Sequence, residues 1–96
     1  KLYWMVASPR IDGFRNAPTG ERRRLELLCS SNGIEFRSAG LVADGKGSLD
    51  SRHYASLLFD GDDLLVLARS GDGRAKSLHD GNLLTLHRVK NFRALA

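Results

Sequence analysis

The sequence predicts an all-β chain, and three observations support this. Short apolar runs alternate with polar turns along the 96 residues. Ten glycines against two prolines indicate many turns. No segment of useful length has the 3.6-residue periodicity of an amphipathic helix. The predicted strands cover residues 2–8, 24–29, 34–43, 54–59, 64–69 and 82–89, and a short segment, 91–95, follows them.

Turn signals separate these strands. A long polar loop with both prolines follows the first strand, and residues 30–33 form the turn between the second and third. Residues 60–63, Asp-Gly-Asp-Asp, have the sequence of a tight hairpin, whose glycine can take positive φ without a Cβ clash. The third strand can be broken at Gly40. A helix could start at the arginines before Leu25, but Ser-Ser-Asn-Gly would end it after two turns.

The amino-acid composition restricts the classes of partner that the chain is expected to bind. The 15 Lys and Arg residues exceed the 11 Asp and Glu residues and give a net charge of +4. This balance modestly favours an anionic partner, although solvated loop charges explain the same figure. The basic residues are not interleaved with a row of aromatics, which argues against nucleic acid. No apolar stretch approaches membrane-spanning length. Cys29, in an apolar strand pattern, is expected to be a buried thiol rather than a nucleophile.

No metal or cofactor site is expected from the pattern of potential ligands. The three histidines, His53, His79 and His87, lack metal-ligand spacing, and no cysteine lies near them in the sequence. There is no glycine-rich phosphate loop and no Ser-His-Asp signature. Gly-Asp-Gly at 71–73 is expected to be a turn.

Residues 30–36, Ser-Ser-Asn-Gly-Ile-Glu-Phe, have the composition of a specific hairpin turn. The side chain of Asn32 can accept hydrogen bonds from backbone N–H groups within the turn, and that of Ser30 can do so more weakly. Gly33 can supply a left-handed conformation, and Phe36 can pack the turn onto the sheet. An ordinary Ser/Asn/Gly hairpin has the same features, so both interpretations of the turn stay open at this point.

The turn resembles a shortened Asp-box, which joins the third and fourth strands of blades in sialidase-like (BNR-repeat) β-propellers. It differs by Asn for Asp, Phe for Trp, and one residue fewer between Ser30 and Gly33. The order of elements also repeats after about 60 residues, near the four-strand spacing of a propeller blade. Residues 53–70, HYASLLFDGDDLLVLARS, resemble the segment that bears the sialidase nucleophile, and residues 79–93 resemble the closing strands.

The resemblance implies an architecture. The chain would be the C-terminal blade and a half of a six-bladed propeller made of four-stranded antiparallel blades. Residues 1–43 would form most of one blade and residues 44–96 the last blade. The opening KLYWMVAS starts within a strand pattern, which suggests a cut through a longer chain that supplies the other blades. Alone, the chain is expected to be unstable or self-associating, because strand edges and an apolar face would be uncovered.

Up-and-down blades place alternate loops on opposite rims. If the turns at 30–33 and 60–63 lie on one rim, the loops 9–23, 44–53 and 70–82 lie on the other. Long loops on a rigid scaffold favour ligand binding. The polar residues expected at this rim are Arg10, Arg15, Glu21, Arg22, His53, Tyr54, Arg69, Arg74, Lys76, His79 and Asp80.

The resemblance implies an exo-acting glycosidase that hydrolyses a terminal, anionic sugar, with carbohydrate as its partner. It carries the nucleophilic tyrosine onto Tyr54 and a carboxylate-binding arginine onto Arg22, with Arg24 and Arg10 as further candidates. Arginine suits this role because its planar guanidinium binds a carboxylate in bidentate fashion. His79 and Asp80 could contact sugar hydroxyls or handle protons, or could simply tether their loop.

Other interpretations stay open. Tyr54 could be a packing residue and the three arginines a solvated strand start. The general acid, the glutamate that activates the tyrosine and two arginines would lie in other blades, so the 96 residues alone are expected to be inactive. The alternatives are a glycan-binding or scaffolding propeller without catalysis, and a small basic β-domain unrelated to propellers. Extracellular or periplasmic location is implied by the resemblance alone.

Overall fold

A computed structural model describes residues 1–8, 23–47, 49–77 and 79–96. This part of the chain contains six strands and no α-helix, so the all-β prediction is confirmed. Its helices include none long and apolar enough to cross a membrane. The strands are β1 (Tyr3–Ala7), β2 (Arg24–Ser30), β3 (Arg37–Asp44), β4 (Arg52–Asp60), β5 (Asp63–Ser70) and β6 (Leu83–Val89), and a short 3-10 helix, Phe92–Leu95, follows.

Three local predictions differ from the structure. Residues 34–36 belong to the turn before β3 rather than to the strand. Segment 91–95, expected to belong to the closing strands, forms the 3-10 helix, which Asn91 precedes in a left-handed conformation (φ 51°). The third strand continues through Gly40, and register shifts lie on either side of this residue. The bulged strand therefore keeps its pairing with β2 along its whole length.

The six strands form two antiparallel sheets of three strands each. The strand order is β1-β2-β3 in the first sheet and β4-β5-β6 in the second. The β4–β5 hairpin is closed by Gly61, with the positive φ expected for it (59°), and Asp62. The two sheets stack face to face, with β1 beside β4 and β3 beside β6. Because the sheets are stacked in this way, the turns and connections of both sheets lie at two common ends of the molecule.

The core lies between the sheets and is built from the central strand of each. Leu25 and Leu27 of β2 pack with Leu64, Val66 and Ala68 of β5, and all five are buried. Their spacing of two residues follows from the alternation of side chains across a strand. Burying one such leucine or valine side chain contributes about 1.5–3 kcal/mol.

The 3-10 helix completes this core with Phe92, which is 0% exposed. Its ring meets Trp4 edge to face at 4.9 Å between centroids and stacks on Phe59 at 5.6 Å. The guanidinium of Arg93 covers the same ring, 4.5 Å from its centroid. Cys29 is buried and free, as the apolar strand pattern predicted.

Polar side chains on the inner side of β5 and β6 pair with one another. The hydroxyls of Ser70 and Thr85 share a hydrogen bond of 2.7 Å, and Thr85 Oγ1 shares another of 2.7 Å with His87 Nε2. Burial, together with the positive charge of Arg52, lowers the pKa of His87 below its ordinary value. The imidazole is therefore neutral at neutral pH, which suits its place between two sheets.

Candidate functional site

The two ends of the stacked sheets differ in their connections. The turn at 31–36 and the two-residue turn at 61–62 lie at one end, while connections 45–51 and 71–82 lie at the other, here called the long-loop end. Ser8 Oγ donates a hydrogen bond to the Arg52 carbonyl at 3.2 Å and joins the two sheets there. Arg52 Nη1 donates to the carbonyls of Ser51 at 2.7 Å and Gly71 at 3.0 Å, so it fastens both long connections.

Tyr54 lies at an irregularity of β4 near this end. The pairing of β4 with β5 is regular except between His53 and Ser56, where the register shifts. Tyr54 has a φ of 50°, a left-handed conformation that a bulky residue rarely adopts. The conformation costs roughly 1–2 kcal/mol, which the surrounding sheet must offset. Such strain concentrates at functional sites, so Tyr54 is a functional candidate on structural grounds.

The irregularity gathers three rings and a cation. The rings of His53 and Tyr54 lie 4.6 Å apart between centroids, and the His79 ring lies 6.4 Å from each. The guanidinium carbon of Arg69 lies 6.0 Å from the centre of the Tyr54 ring. His53 is buried (2% exposed), whereas Tyr54 is 58% exposed and His79 is also exposed. These four residues are here called the Tyr54 cluster.

Arg69 is held in place by its strand and by a glycine. It lies next to the last residue of β5, and its side chain runs against Gly81, where a Cβ would overlap the arginine stem. The guanidinium is thereby brought to an exposed aromatic ring at the long-loop end. A cation beside an accessible phenol attracts anionic ligands, and the face of the ring offers a surface on which a sugar or another flat group can stack.

Only some of the site residues predicted from the sequence lie together in the structure. Tyr54 and His79 come together in the cluster. Arg24 instead pairs with Asp44 across β2 and β3 at 3.5 Å. The carboxylate of Asp80 accepts the Lys76 backbone N–H at 3.2 Å, a contact that tethers the loop. Four residues expected at this rim, Arg10, Arg15, Glu21 and Arg22, lie outside the described residues.

The connection 71–82 is braced by a second carboxylate. Asp72 accepts hydrogen bonds from Arg74 Nη2 at 2.8 Å and from Asn82 Nδ2 at 3.0 Å. These bonds hold the pKa of Asp72 well below its ordinary value, and its charge raises the pKa of Arg74. Arg74 is therefore engaged within its own loop, whereas Arg69 faces the Tyr54 ring.

His53 and Arg69 were expected at this rim from the topology but not as site residues. No motif points to them, because the contact between the Tyr54 and His53 rings depends on the left-handed backbone at Tyr54. The sequence carries only a weak signal for the register shift between His53 and Ser56, namely that the strand begins with the polar residues Arg52 and His53.

The turn at residues 30–33 has the hydrogen bonds that its composition predicted. Asn32 Oδ1 accepts the backbone N–H groups of Ile34 and Glu35 at 2.9 Å each, and Ser30 Oγ accepts those of Asn32 at 3.2 Å and Gly33 at 2.9 Å. Gly33 has a φ of 75°, as expected for a left-handed turn position. This turn lies at the opposite end from the Tyr54 cluster, so its role is structural.

Within the described ranges, no group of three or more His, Cys, Asp or Glu residues could hold a metal ion. The described residues form an all-β fold with two stacked antiparallel sheets and the Tyr54 cluster at one end. Comparisons with known proteins add nothing further: no family model, curated protein or solved structure matches the chain significantly.

The backbone strain at Tyr54 can be tested by comparing the stability of two variants. Tyr54→Asn is expected to be more stable than Tyr54→Val by roughly 1 kcal/mol, because asparagine tolerates the left-handed region and a β-branched residue does not. Ordinary strand preferences give the opposite order. Urea unfolding followed by circular dichroism measures the difference. Tyr3, in a regular strand, provides the control: there Val should be the more stable variant. A more stable Val at position 54 would show that the left-handed conformation is not retained.

Proposed function

We propose that this chain is the part of a sialidase-like β-propeller glycoside hydrolase that carries the nucleophile, Tyr54. The observation that supports this best is the strained, exposed Tyr54 at the long-loop end, with Arg69 beside its ring. The stacked antiparallel sheets and the alternation of short and long connections support this proposal, although each sheet has three strands in the described residues and a propeller blade has four. The substrate class is a terminal sugar that bears a carboxylate.

In the proposed reaction, the Tyr54 oxygen attacks the anomeric carbon while the bond to the leaving oxygen breaks. A glutamate from another blade takes the phenolic proton, and a general acid, also from another blade, protonates the leaving group. Water then attacks the anomeric carbon of the covalent sugar–tyrosine intermediate as the bond to the tyrosine oxygen breaks. The deprotonated general acid takes a proton from this water, and the glutamate returns its proton to the tyrosine oxygen, which releases the sugar and restores the phenol. A phenol repels an anionic sugar less than a carboxylate does. Arg69 adds a nearby positive charge that attracts the substrate.

The test is Tyr54→Phe in the protein that contains all blades. Turnover of an aryl glycoside of a carboxylated sugar should fall by more than about 10³-fold, because only the nucleophilic oxygen is removed. Binding of the free sugar, measured by calorimetry, should change less than about threefold, since the ring is retained. Tyr3→Phe, at the opposite end, should leave both unchanged. Undiminished turnover by Tyr54→Phe would refute Tyr54 as nucleophile, and the wild-type 96-residue chain alone should show no turnover.

A glycan-binding propeller without catalysis is the second candidate. The contacts of Arg24 with Asp44 and of Asp80 with its own loop favour it, because two residues expected to bind substrate are engaged in the scaffold. The rings of the Tyr54 cluster can still stack against a sugar. In this case the wild-type protein with all blades binds the sugar and has no turnover, and Tyr54→Ala weakens binding.

A further inference from the structure

Among the residues that the structure describes, nothing covers the outer sides of the two sheets, and each of these sides carries exposed apolar side chains. One is the outer side of the second sheet, where Leu84 is 73% and Leu86 is 65% exposed. The other is the outer side of the first sheet, where Leu41 is 56% exposed. The apolar side chains on the outer side of the second sheet are here called the leucine face and belong to Leu58, Leu65, Leu67, Leu84 and Leu86. The residues on the outer side of the first sheet are Tyr3, Met5, Glu26, Leu28 and Leu41, here called the mixed face.

We propose that these faces bind each other between copies of the chain, so that the leucine face of one copy packs on the mixed face of the next. The proposal concerns the 96-residue chain by itself and does not rest on the glycosidase function; in the propeller proposed above, neighbouring blades would cover the same two faces. A contiguous group of exposed apolar side chains on one sheet face is typical of an interaction surface. The occupant inferred here is a second copy.

The internal stacking of the sheets provides the geometry. Within one chain, β1 lies beside β4 and β3 beside β6, and the buried side chains of the central strands β2 and β5 meet in the core. If a second copy is added in the same orientation, with its first sheet against the second sheet of the first copy, its β2 lies against the outer side of β5. The new interface then continues the stacking that already exists between the two sheets. Such a contact is heterologous, since it joins two different patches.

Charge favours the same pairing. Glu26 is the carboxylate of the mixed face and lies on the central strand β2, and Arg69 lies in line with Leu65 and Leu67 on the leucine face. Neither of them has an ion-pair partner among the residues that the structure describes. Both lie near the long-loop end, so a copy stacked in the same sense brings opposite charges to the same level. Complementary charges fix the register of such an interface.

Pairing of two leucine faces is the competing arrangement. It buries one apolar face of each copy and leaves both mixed faces in water. It also leaves Glu26 far from Arg69. Head-to-tail stacking covers both kinds of face at every junction, which is why the heterologous contact is favoured.

The experiment blocks one face at a time. Leu84→Glu with Leu86→Glu blocks the leucine face, and Met5→Glu with Leu41→Glu blocks the mixed face. Sedimentation velocity of the wild-type chain should show association at roughly 10–100 µM, and either variant should weaken it by about 100-fold or more. Ile34→Glu is the control, because Ile34 is 82% exposed in the turn and belongs to neither face. It should associate like the wild type.

Mixing the two blocked variants distinguishes the arrangements. Each retains one intact face, so an equimolar mixture should form a heterodimer and nothing larger. No complex in the mixture, together with dimers of the mixed-face variant alone, would show leucine-face pairing and overturn the proposal. A wild-type chain that is folded and monomeric at roughly 100 µM would also overturn it.

Charge reversal provides an independent measurement if a blocked variant fails to fold. Glu26→Arg and Arg69→Glu should each weaken association by about 10-fold, and the double reversal should restore it towards the wild-type level. Circular dichroism and the emission of Trp4 establish that each variant is folded. Additive weakening in the double variant would show that the two residues do not meet.

Discussion

The Phe92→Ala variant is expected to lose about 3–5 kcal/mol of its free energy of unfolding at 25 °C. Phe92 is fully buried and joins the two sheets through its contacts with Trp4 and Phe59. Truncation of a buried phenylalanine removes its transfer free energy and leaves a cavity, which together cost about 3–5 kcal/mol. A chain of this size is expected to have a free energy of unfolding of only about 5–15 kcal/mol. One side chain in the 3-10 helix therefore supplies a large share of the stability of the stacked sheets.

Urea unfolding followed by the fluorescence of Trp4 measures this loss directly, because the sequence has one tryptophan and its ring touches Phe92. Leu95→Ala is the matched control. It lies in the same 3-10 helix but is 45% exposed, so its loss should be about 1 kcal/mol. Equal losses for the two variants would mean that the helix, rather than the buried ring, carries the stability.

Gly45→Ala is expected to lower the free energy of unfolding by roughly 2–4 kcal/mol, the second large effect. The connection 45–51 folds back tightly, and a Cβ at Gly45 would overlap the carbonyl oxygen of Asp50. The Gly45 N–H also donates to the Arg23 carbonyl at 2.6 Å, which limits how far the chain can move aside. Because the clash is with backbone, no side-chain rotation relieves it.

Gly73→Ala is the matched control for Gly45→Ala. A Cβ at Gly73 meets no atom within 4 Å. The same substitution there should change the free energy of unfolding by less than about 0.5 kcal/mol, since it adds no contact. Thermal and urea unfolding of the two variants under identical conditions measure the difference. A Gly45→Ala variant as stable as Gly73→Ala would show that the connection is loose enough to refold around a methyl group.

Much of the secondary structure was predictable from the sequence for a local reason. In β2 and β5 the apolar residues recur every second position, as in Leu25 and Leu27 or Leu64 and Val66, and this period is that of a strand with one buried face. The turns were predictable because Asn32 bonds to backbone groups of its own turn, and Gly33 and Gly61 allow positive φ. These signals need no distant contact.

The segment 91–95 was not predictable in this way. The resemblance of residues 79–93 to closing strands implied an extended conformation for its first residues. In the structure, Phe36 is half-buried beside a turn, whereas Phe92 is enclosed by the two sheets and lies in a 3-10 helix. Burial between the sheets selects the helical turn, and the local sequence carries little of that information.

For the site, the sequence by itself predicted that connections 44–53 and 70–82 meet at one end, because antiparallel strands send alternate connections to the same end. The resemblance to sialidases singled out Tyr54 and His79, together with Arg24, Asp80, Arg10 and Arg22, of which the last two lie outside the described residues. Only the tertiary structure decided that His53 and Arg69 complete the group, that Arg24 pairs with Asp44, and that Asp80 holds its own loop. The physical reason is pairing: a register shift between two strands turns Tyr54 into a left-handed conformation, and such a shift depends on both strands at once.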